Sequence, residues 1–314
     1  MAITKSGPKL MNNKPELTLG PCLFNWPEAM WRDFYFRMAD ESDFDLIYIG
    51  EPVCSKRLPF RDSVLPDILE RMESAGKKVV LSTLALVTTK PERKTLSGQC
   101  DQDEWMVEAN DLTALAFLKG RKHVIGPYIN LYNEDSIEAL SKRGATRFVL
   151  PTELSAETAS KLIKAAPDPV YELQVFGRLP LALSARCYHA RLNKLSKDSC
   201  RFVCDQDLDG RDVNSLTGQP FLAVNGIQTM SYGSQLLLEE LPDLAKMGIG
   251  AFRLSPHTGD MIAVAKIFRS LLAGEVEAIE AHKAMEKEMP SHHFINGFVH
   301  GQAGMKQVAE SLAV

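Results

Sequence analysis

Six cysteines punctuate this 314-residue chain, and three of them fall in one short stretch as Cys187-x12-Cys200-x3-Cys204. A fourth, Cys54, sits far upstream in Gly50-Glu-Pro-Val-Cys-Ser-Lys-Arg57. Thiolates converging from two distant segments are what a cubane [4Fe–4S] cluster uses, because soft sulfur suits polarisable iron. A four-thiolate zinc site is the competing chemistry. Zinc sites usually show paired Cys-x2–4-Cys knuckles, and only the pair Cys200/Cys204 has that spacing here. Spacing alone leaves iron–sulfur, zinc and unrelated cysteines open, and a zinc site would make the chain a metal-stabilised binding module without catalysis.

The remaining chemistry-bearing residues carry less. Cys22 follows Gly20–Pro21 and reads as a small buried hydrophobe, and Cys100 reads as a spectator in a polar loop. His292 and His293 read as solvated or capping residues, His189 as a neighbour of the cysteine site or surface, and His257 as a pocket residue. No nucleophile elbow, zinc-protease helix or phosphate loop is present, and Gly248-Ile-Gly250 is too short for a dinucleotide fingerprint.

A hydrophobic content of 45% and a charged content of 24% are ordinary for a globular chain able to bury a large core without a metal. The formal net charge of −4 disfavours nonspecific nucleic-acid binding. The basic pairs and triplets, Lys56–Arg57 and Arg121–Lys122–His123, read as solvated surface charge. No signal-like or membrane-length apolar run occurs, so the cytoplasm is the expected compartment, where thiols stay reduced. Residues 1–14 read as a disordered tail, and 15–314 as one barrel domain.

The elements that must position the cysteines follow from short apolar runs. Eight of them, Glu16–Pro21, Asp45–Gly50, Lys78–Thr83, Trp105–Ala109, His123–Ile129, Arg147–Pro151, Tyr171–Gly177 and Gly250–Ser255, have the continuous apolar character of buried parallel strands. Helical spacing fills linkers at Pro27–Asp40, Ser63–Ala75, Asp111–Lys119, Glu134–Arg143, Ser155–Ala165, Ser234–Met247 and Met261–Leu272. Repeated β-then-α units predict a TIM-like (β/α)8 barrel, with an open doubly wound sheet as the alternative. The stretch 179–230 breaks the rhythm and reads as an insertion after strand seven. Cys54 lies beyond strand two, so both cysteine loops leave the C-terminal ends of strands, the functional face of such a barrel.

Several separated motifs then carry a resemblance. Gly50-Glu-Pro-Val-Cys-Ser-Lys-Arg57, Leu179-Pro-Leu-Ala182 with Ser184-Ala-Arg-Cys187, Asn225-Gly-Ile-Gln-Thr-Met-Ser231, Arg253-Leu-Ser-Pro256 and Asn296-Gly-Phe298 occur in order over roughly residues 15–300. Together they resemble the peptidase U32 family, in particular its members in anaerobic ubiquinone biosynthesis. The resemblance implies a [4Fe–4S] cluster on Cys54, Cys187, Cys200 and Cys204. It also implies a heterodimer with a sister family member, a lipid-carrying accessory protein, and a prenylated phenol as substrate of oxygen-independent hydroxylation. Other members hydroxylate RNA bases, the alternative activity. The family's peptidase label finds no nucleophile and base here. The N-terminal extension and Arg201-Phe-Val203 depart from the pattern without moving the ligands.

The hydroxylases of that family draw their hydroxyl from prephenate, and a dicarboxylate wants cationic clamps. Arg186 and Arg253 are the candidates, with structural ion pairing as the competing role. Glu51 and Asn225, inside the motifs, read either as polar pocket groups or as residues that fix turns.

Overall fold

Alternate residues of the short strands divide between two environments, and that division builds the barrel. In the second strand, Ile47 and Ile49 join the main core, whereas Leu46 and Tyr48 belong to a separate inner cluster with Val80, Val124 and Val149. The computed structural model describes residues 14–118, 120–309 and 312, so most of the expected N-terminal tail lies outside the described residues.

The strands are β1 (Glu16–Leu19), β2 (Leu46–Gly50), β3 (Val79–Ser82), β4 (Met106–Ala109), β5 (His123–Ile125), β6 (Ala145–Val149), β7 (Val170–Leu183), β8 (Arg211–Asn214), β9 (Pro220–Asn225), β10 (Gln228–Leu236), β11 (Ala251–Leu254) and β12 (Phe294–Ile295). β1 to β7 pair in chain order, β7 pairs with β11, and β11 returns to β1, all in parallel. The result is a closed eight-stranded parallel barrel, the predicted TIM-like fold.

The helices are α1 (Glu28–Glu41), α2 (Leu58–Asp62), α3 (Leu65–Ser74), α4 (Lys90–Asp101), α5 (Leu115–Leu118), α6 (Glu134–Ser141), α7 (Ala156–Ala165), α8 (Tyr188–Leu192), α9 (Leu241–Met247), α10 (Met261–Ala273) and α11 (Ala278–Glu288). Their ends are chemically marked. Asn133, Ser155 and Asp260 accept backbone N–H bonds at N-caps, and Gly274 closes α10 with φ +72°. Two expectations need correction. Ser234–Leu236 belongs to β10, so α9 begins only at Leu241. Cys100 lies on α4, fully buried, not in a polar loop; Thr89 and Glu92 open that helix with a capping box.

The excursion after β7 is a continuation of the sheet. β7 runs past the barrel to Leu183 and pairs antiparallel with β10, from Leu183 opposite Gln228 to Phe176 opposite Leu236. β9 and β8 extend this flap outward, and β12 joins β10 in parallel. The segment between Ser184 and β8, which includes α8, carries the clustered cysteines.

The barrel interior is ionic as well as apolar. Glu172 accepts from Thr18 at 2.8 Å, Tyr48 at 2.7 Å, Arg147 at 2.9 Å and Arg253 at 2.6 Å. Arg253 also meets Glu108 at 2.8 Å and stacks 3.9 Å from the centre of the Tyr48 ring. Burial alone would raise the Glu172 pKa, but Arg253 and Arg147 overcome it and hold the carboxyl at about 2. Because Arg253 serves two buried glutamates, Arg253→Met is expected to destabilise the fold by about 3–5 kcal/mol, measured as a lower urea midpoint.

Candidate metal centre

The Cys54 turn is shaped by a glycine and a carboxylate. Gly50 ends β2 with φ +149°, and a Cβ there would meet Ser82 O at 2.2 Å, so no other residue fits. The chain then folds around Glu51, whose Oε1 accepts the N–H groups of Val53 and Cys54, each at 3.0 Å. Ser55 donates to Glu92 on α4 at 2.6 Å. Burial pushes the Glu92 pKa up, but that hydroxyl and the N–H groups of Thr88 and Thr89 outweigh it and hold the carboxyl at about 2. Glu51 therefore acts as the turn-fixing residue of its two expected roles.

The other three cysteines come from the excursion. Cys187 is the N-cap of α8: its sulfur accepts from Ala190 N at 3.4 Å and its thiol donates to Gly226 O at 3.2 Å. Arg201 and Phe202, both in the left-handed region at φ +50° and +55°, turn the chain between Cys200 and Cys204. Asn225 donates to Cys204 O at 3.1 Å and Asp207 O at 2.9 Å, fixing the loop from the end of β9. Lys56 donates to Lys197 O at 2.7 Å and Asp198 O at 3.0 Å, tying this segment to the β2 loop.

Arg57 is the residue whose role the sequence concealed. Expected as solvated charge, it is 1% exposed. It donates to Leu23 O at 3.2 Å, Asn225 Oδ1 at 2.6 Å and Cys204 Sγ at 3.6 Å. Arg61, also buried, donates to Trp26 O at 3.0 Å and lies over the Trp31 ring. Glu51 is the carboxylate between them, 3.5 Å from Arg57 and 3.6 Å from Arg61. One buried carboxylate thus faces two buried guanidinium groups.

Cys54, Cys187, Cys200 and Cys204 line one small cavity together with Arg57 and His189. Cys54, Cys187 and Cys204 are buried and Cys200 is half-buried; all are free thiols. Burial pushes the Cys54 and Cys187 pKa values up, opposed by Arg57 at both and by the Ala190 N–H at Cys187. All four thiols line this one space. Among the described residues, no three His, Cys, Asp or Glu side chains are gathered closely enough to hold a single ion. The donor set fits a sulfur-ligated cluster, whose metal atoms would occupy such a space.

The other candidates separate from this cavity. Arg186 is exposed, and Arg253 sits inside the barrel with its charge committed to Glu108 and Glu172. These two arginines do not converge, so the expected dicarboxylate clamp is not assembled. Cys22 is buried beside Tyr35, its pKa pushed by burial to about 12, and Cys100 is raised by burial to about 11. His189 is buried, with Nε2 2.9 Å from Asp207. His123 is also buried, against the surface reading of its basic triplet. His257 and His292 meet edge-on at 5.1 Å, and burial holds both pKa values down at about 4. His292 also contacts Ser234 at 2.7 Å, so of the adjacent pair only His293 is exposed.

Glu108, Glu172 and Tyr48 were not singled out from sequence, and Arg57 was named only as solvated surface charge. Their signal was a charged or hydroxylated residue at an alternate position inside an apolar strand, or a basic residue in a motif otherwise rich in small and apolar residues.

Two outcomes follow from this geometry. In the metal-free protein, alkylation should modify Cys200 first and Cys22 and Cys100 last, read by peptide mass; Asn225→Ala should accelerate Cys204. Because His257 binds its proton at about 4 when folded against 6.5 ordinarily, its contribution is present above 6.5 and lost as pH falls through that window. Urea midpoints measured across the window should fall with acidification, and less steeply in His257→Gln.

Comparison with known proteins places the chain. The solved structure of N-acetylneuraminate lyase from Fusobacterium nucleatum is similar at 9% identity, with a TM-score of 0.46, over 87% of this chain and 80% of that one. Phospho-2-dehydro-3-deoxyheptonate aldolase from Thermotoga maritima is similar at 10% identity, with a TM-score of 0.33, over 90% of this chain and 71% of that one. The family model for peptidase family U32 matches residues 34–309, which include all four cavity cysteines. The chain belongs to the peptidase U32 family.

Proposed function

We propose that Cys54, Cys187, Cys200 and Cys204 ligate a [4Fe–4S] cluster and that the chain is a UbiV-like subunit of an oxygen-independent hydroxylase. In this reading it pairs with a UbiU-like family member and acts on the prenylated phenol ring of a ubiquinone precursor, delivered by a lipid-carrier accessory protein. The observation that supports the cluster is the gathering of four thiols, from segments more than a hundred residues apart, around one cavity beside a buried arginine. The ordered motifs around Cys54, Cys187, Asn225 and Arg253 support the specific role.

The cluster, when bound, supplies one-electron redox chemistry or an organising centre for the hydroxylating complex. The chain's own residues do the rest. Glu51 orients the Cys54 backbone, Asn225 fixes the Cys204 loop, and Lys56 locks the cysteine segment against the β2 turn. Among the described residues no helix is long and apolar enough to cross a membrane.

The test is anaerobic purification followed by iron, sulfide and zinc analysis, with quinone measured in an anaerobically grown deletion strain. Four iron and four sulfide per chain are expected for a cubane. Single Ala replacements at the four cavity cysteines should each lose most of that iron, and Cys22→Ala and Cys100→Ala should keep it. One zinc without sulfide, or normal anaerobic quinone in the deletion strain, contradicts the proposal. Loss of RNA base hydroxylation instead of quinone would assign the chain to the family's other activity.

A further inference from the structure

Among the described residues, Arg57 is a buried arginine that lines the cysteine cavity with hydrogen-bonding capacity to spare. Its Nη2 lies 3.6 Å from Cys204 Sγ, and its Nε is buried with no hydrogen-bond partner among the described residues. Asn25 Nδ2 donates to the same sulfur at 3.3 Å. Cys204 therefore receives two side-chain N–H donors, one of them cationic. The approach is built in. Gly226 has φ +69°, and a Cβ there would sit 2.5 Å from Arg57 Nη2.

The surrounding charge does not cancel this cation. Glu51 is shared between Arg57 and Arg61, so one carboxylate against two guanidinium groups leaves a formal +1. All three side chains are at most 3% exposed, which keeps solvent from screening that charge. The barrel's other buried network is balanced differently, with Arg147 and Arg253 opposite Glu108 and Glu172. An uncompensated buried cation is expensive to hold unless something negative shares its cavity. Four thiolates do.

We propose that Arg57, with Asn25 as a second donor, is a positioning residue that raises the reduction potential of a cluster held on the four cysteines. This rests on the cluster reading above. Reduction adds one negative charge to the cluster, and a fixed neighbouring cation together with N–H donors to ligand sulfur favours that more negative state. Glu51 opposes Arg57 in sign while holding it in place. The pair thus sets the potential from both sides.

The experiment is an anaerobic redox titration of the full chain, followed by electron paramagnetic resonance, with iron and sulfide measured on each sample. Arg57→Gln is expected to shift the redox equilibrium at least tenfold toward the oxidised form, about 59 mV for a one-electron couple. Arg57→Lys should recover most of the shift. Glu51→Gln should move the potential in the opposite direction, because its amide oxygen can still accept from Cys54 N while its charge is gone. Asn25→Ala should shift it in the Arg57→Gln direction by a smaller amount. A purely structural role would change cluster content without opposite-signed shifts. Full cluster content with unchanged potentials in Arg57→Gln and Glu51→Gln overturns this inference and leaves the cluster reading standing. Should Arg57→Gln fail to hold iron, a Glu51→Gln potential that does not rise overturns it. A wild-type chain without iron and sulfide overturns both.

Discussion

Glu51 is the constraint on which the candidate centre depends. Its buried carboxylate holds the Cys54 turn through two backbone N–H bonds and lies between Arg57 and Arg61. Through those arginines it reaches Leu23, Asn25 and Trp26 on the loop after β1, and Asn225 and Cys204 on the excursion after β7. Three segments distant in sequence are thus registered by one ionic group. Desolvating such a group is costly, and removing one partner leaves the others unpaired in low dielectric. That cost ties the three segments to one relative placement.

The barrel supplies the second half of the logic. Beside an apolar cluster, its interior holds Glu108, Glu172, Arg147 and Arg253 with Tyr48 and Thr18, so the charged groups there neutralise each other. The thiols lie instead at the C-terminal ends of β2 and β7, where barrels of this kind present their variable loops. The extended β7 carries the chain outward, and the hairpin of β9 and β10 returns it through Asn225 and Gly226 to the cavity. The flap is therefore a scaffold for the three clustered cysteines, and Lys56 fastens it to the turn bearing the fourth.

The barrel was legible because parallel strands buried on both faces read as short apolar runs, and all eight fall where those runs do. What periodicity could not show was the ionic interior. Glu172 in Tyr171-Glu-Leu173 and Arg253 in Phe252-Arg-Leu254 look like interruptions of apolar runs, when they are the inward positions of alternating strands. Helix α4 was hidden by its polar composition, although Thr89 and Glu92 mark its start. The β7 extension was obscured because Pro180 reads as a breaker; at that position the strand has left the barrel and pairs irregularly with β10. Arg57 was misread for a different reason. A basic pair in a loop is normally solvated, and only the tertiary position of Glu51 and Asn225 buries one member of it while leaving Lys56 to bridge the surface.

The central claim is that four thiols brought together around one cavity hold an iron–sulfur cluster. The most direct measurement is the Mössbauer spectrum of the anaerobically purified, iron-enriched protein. The account requires the signature of a cubane with every iron in a tetrahedral sulfur environment, lost in Cys54→Ala. A spectrum of adventitious iron alone, unchanged when Cys54 is replaced, would contradict it.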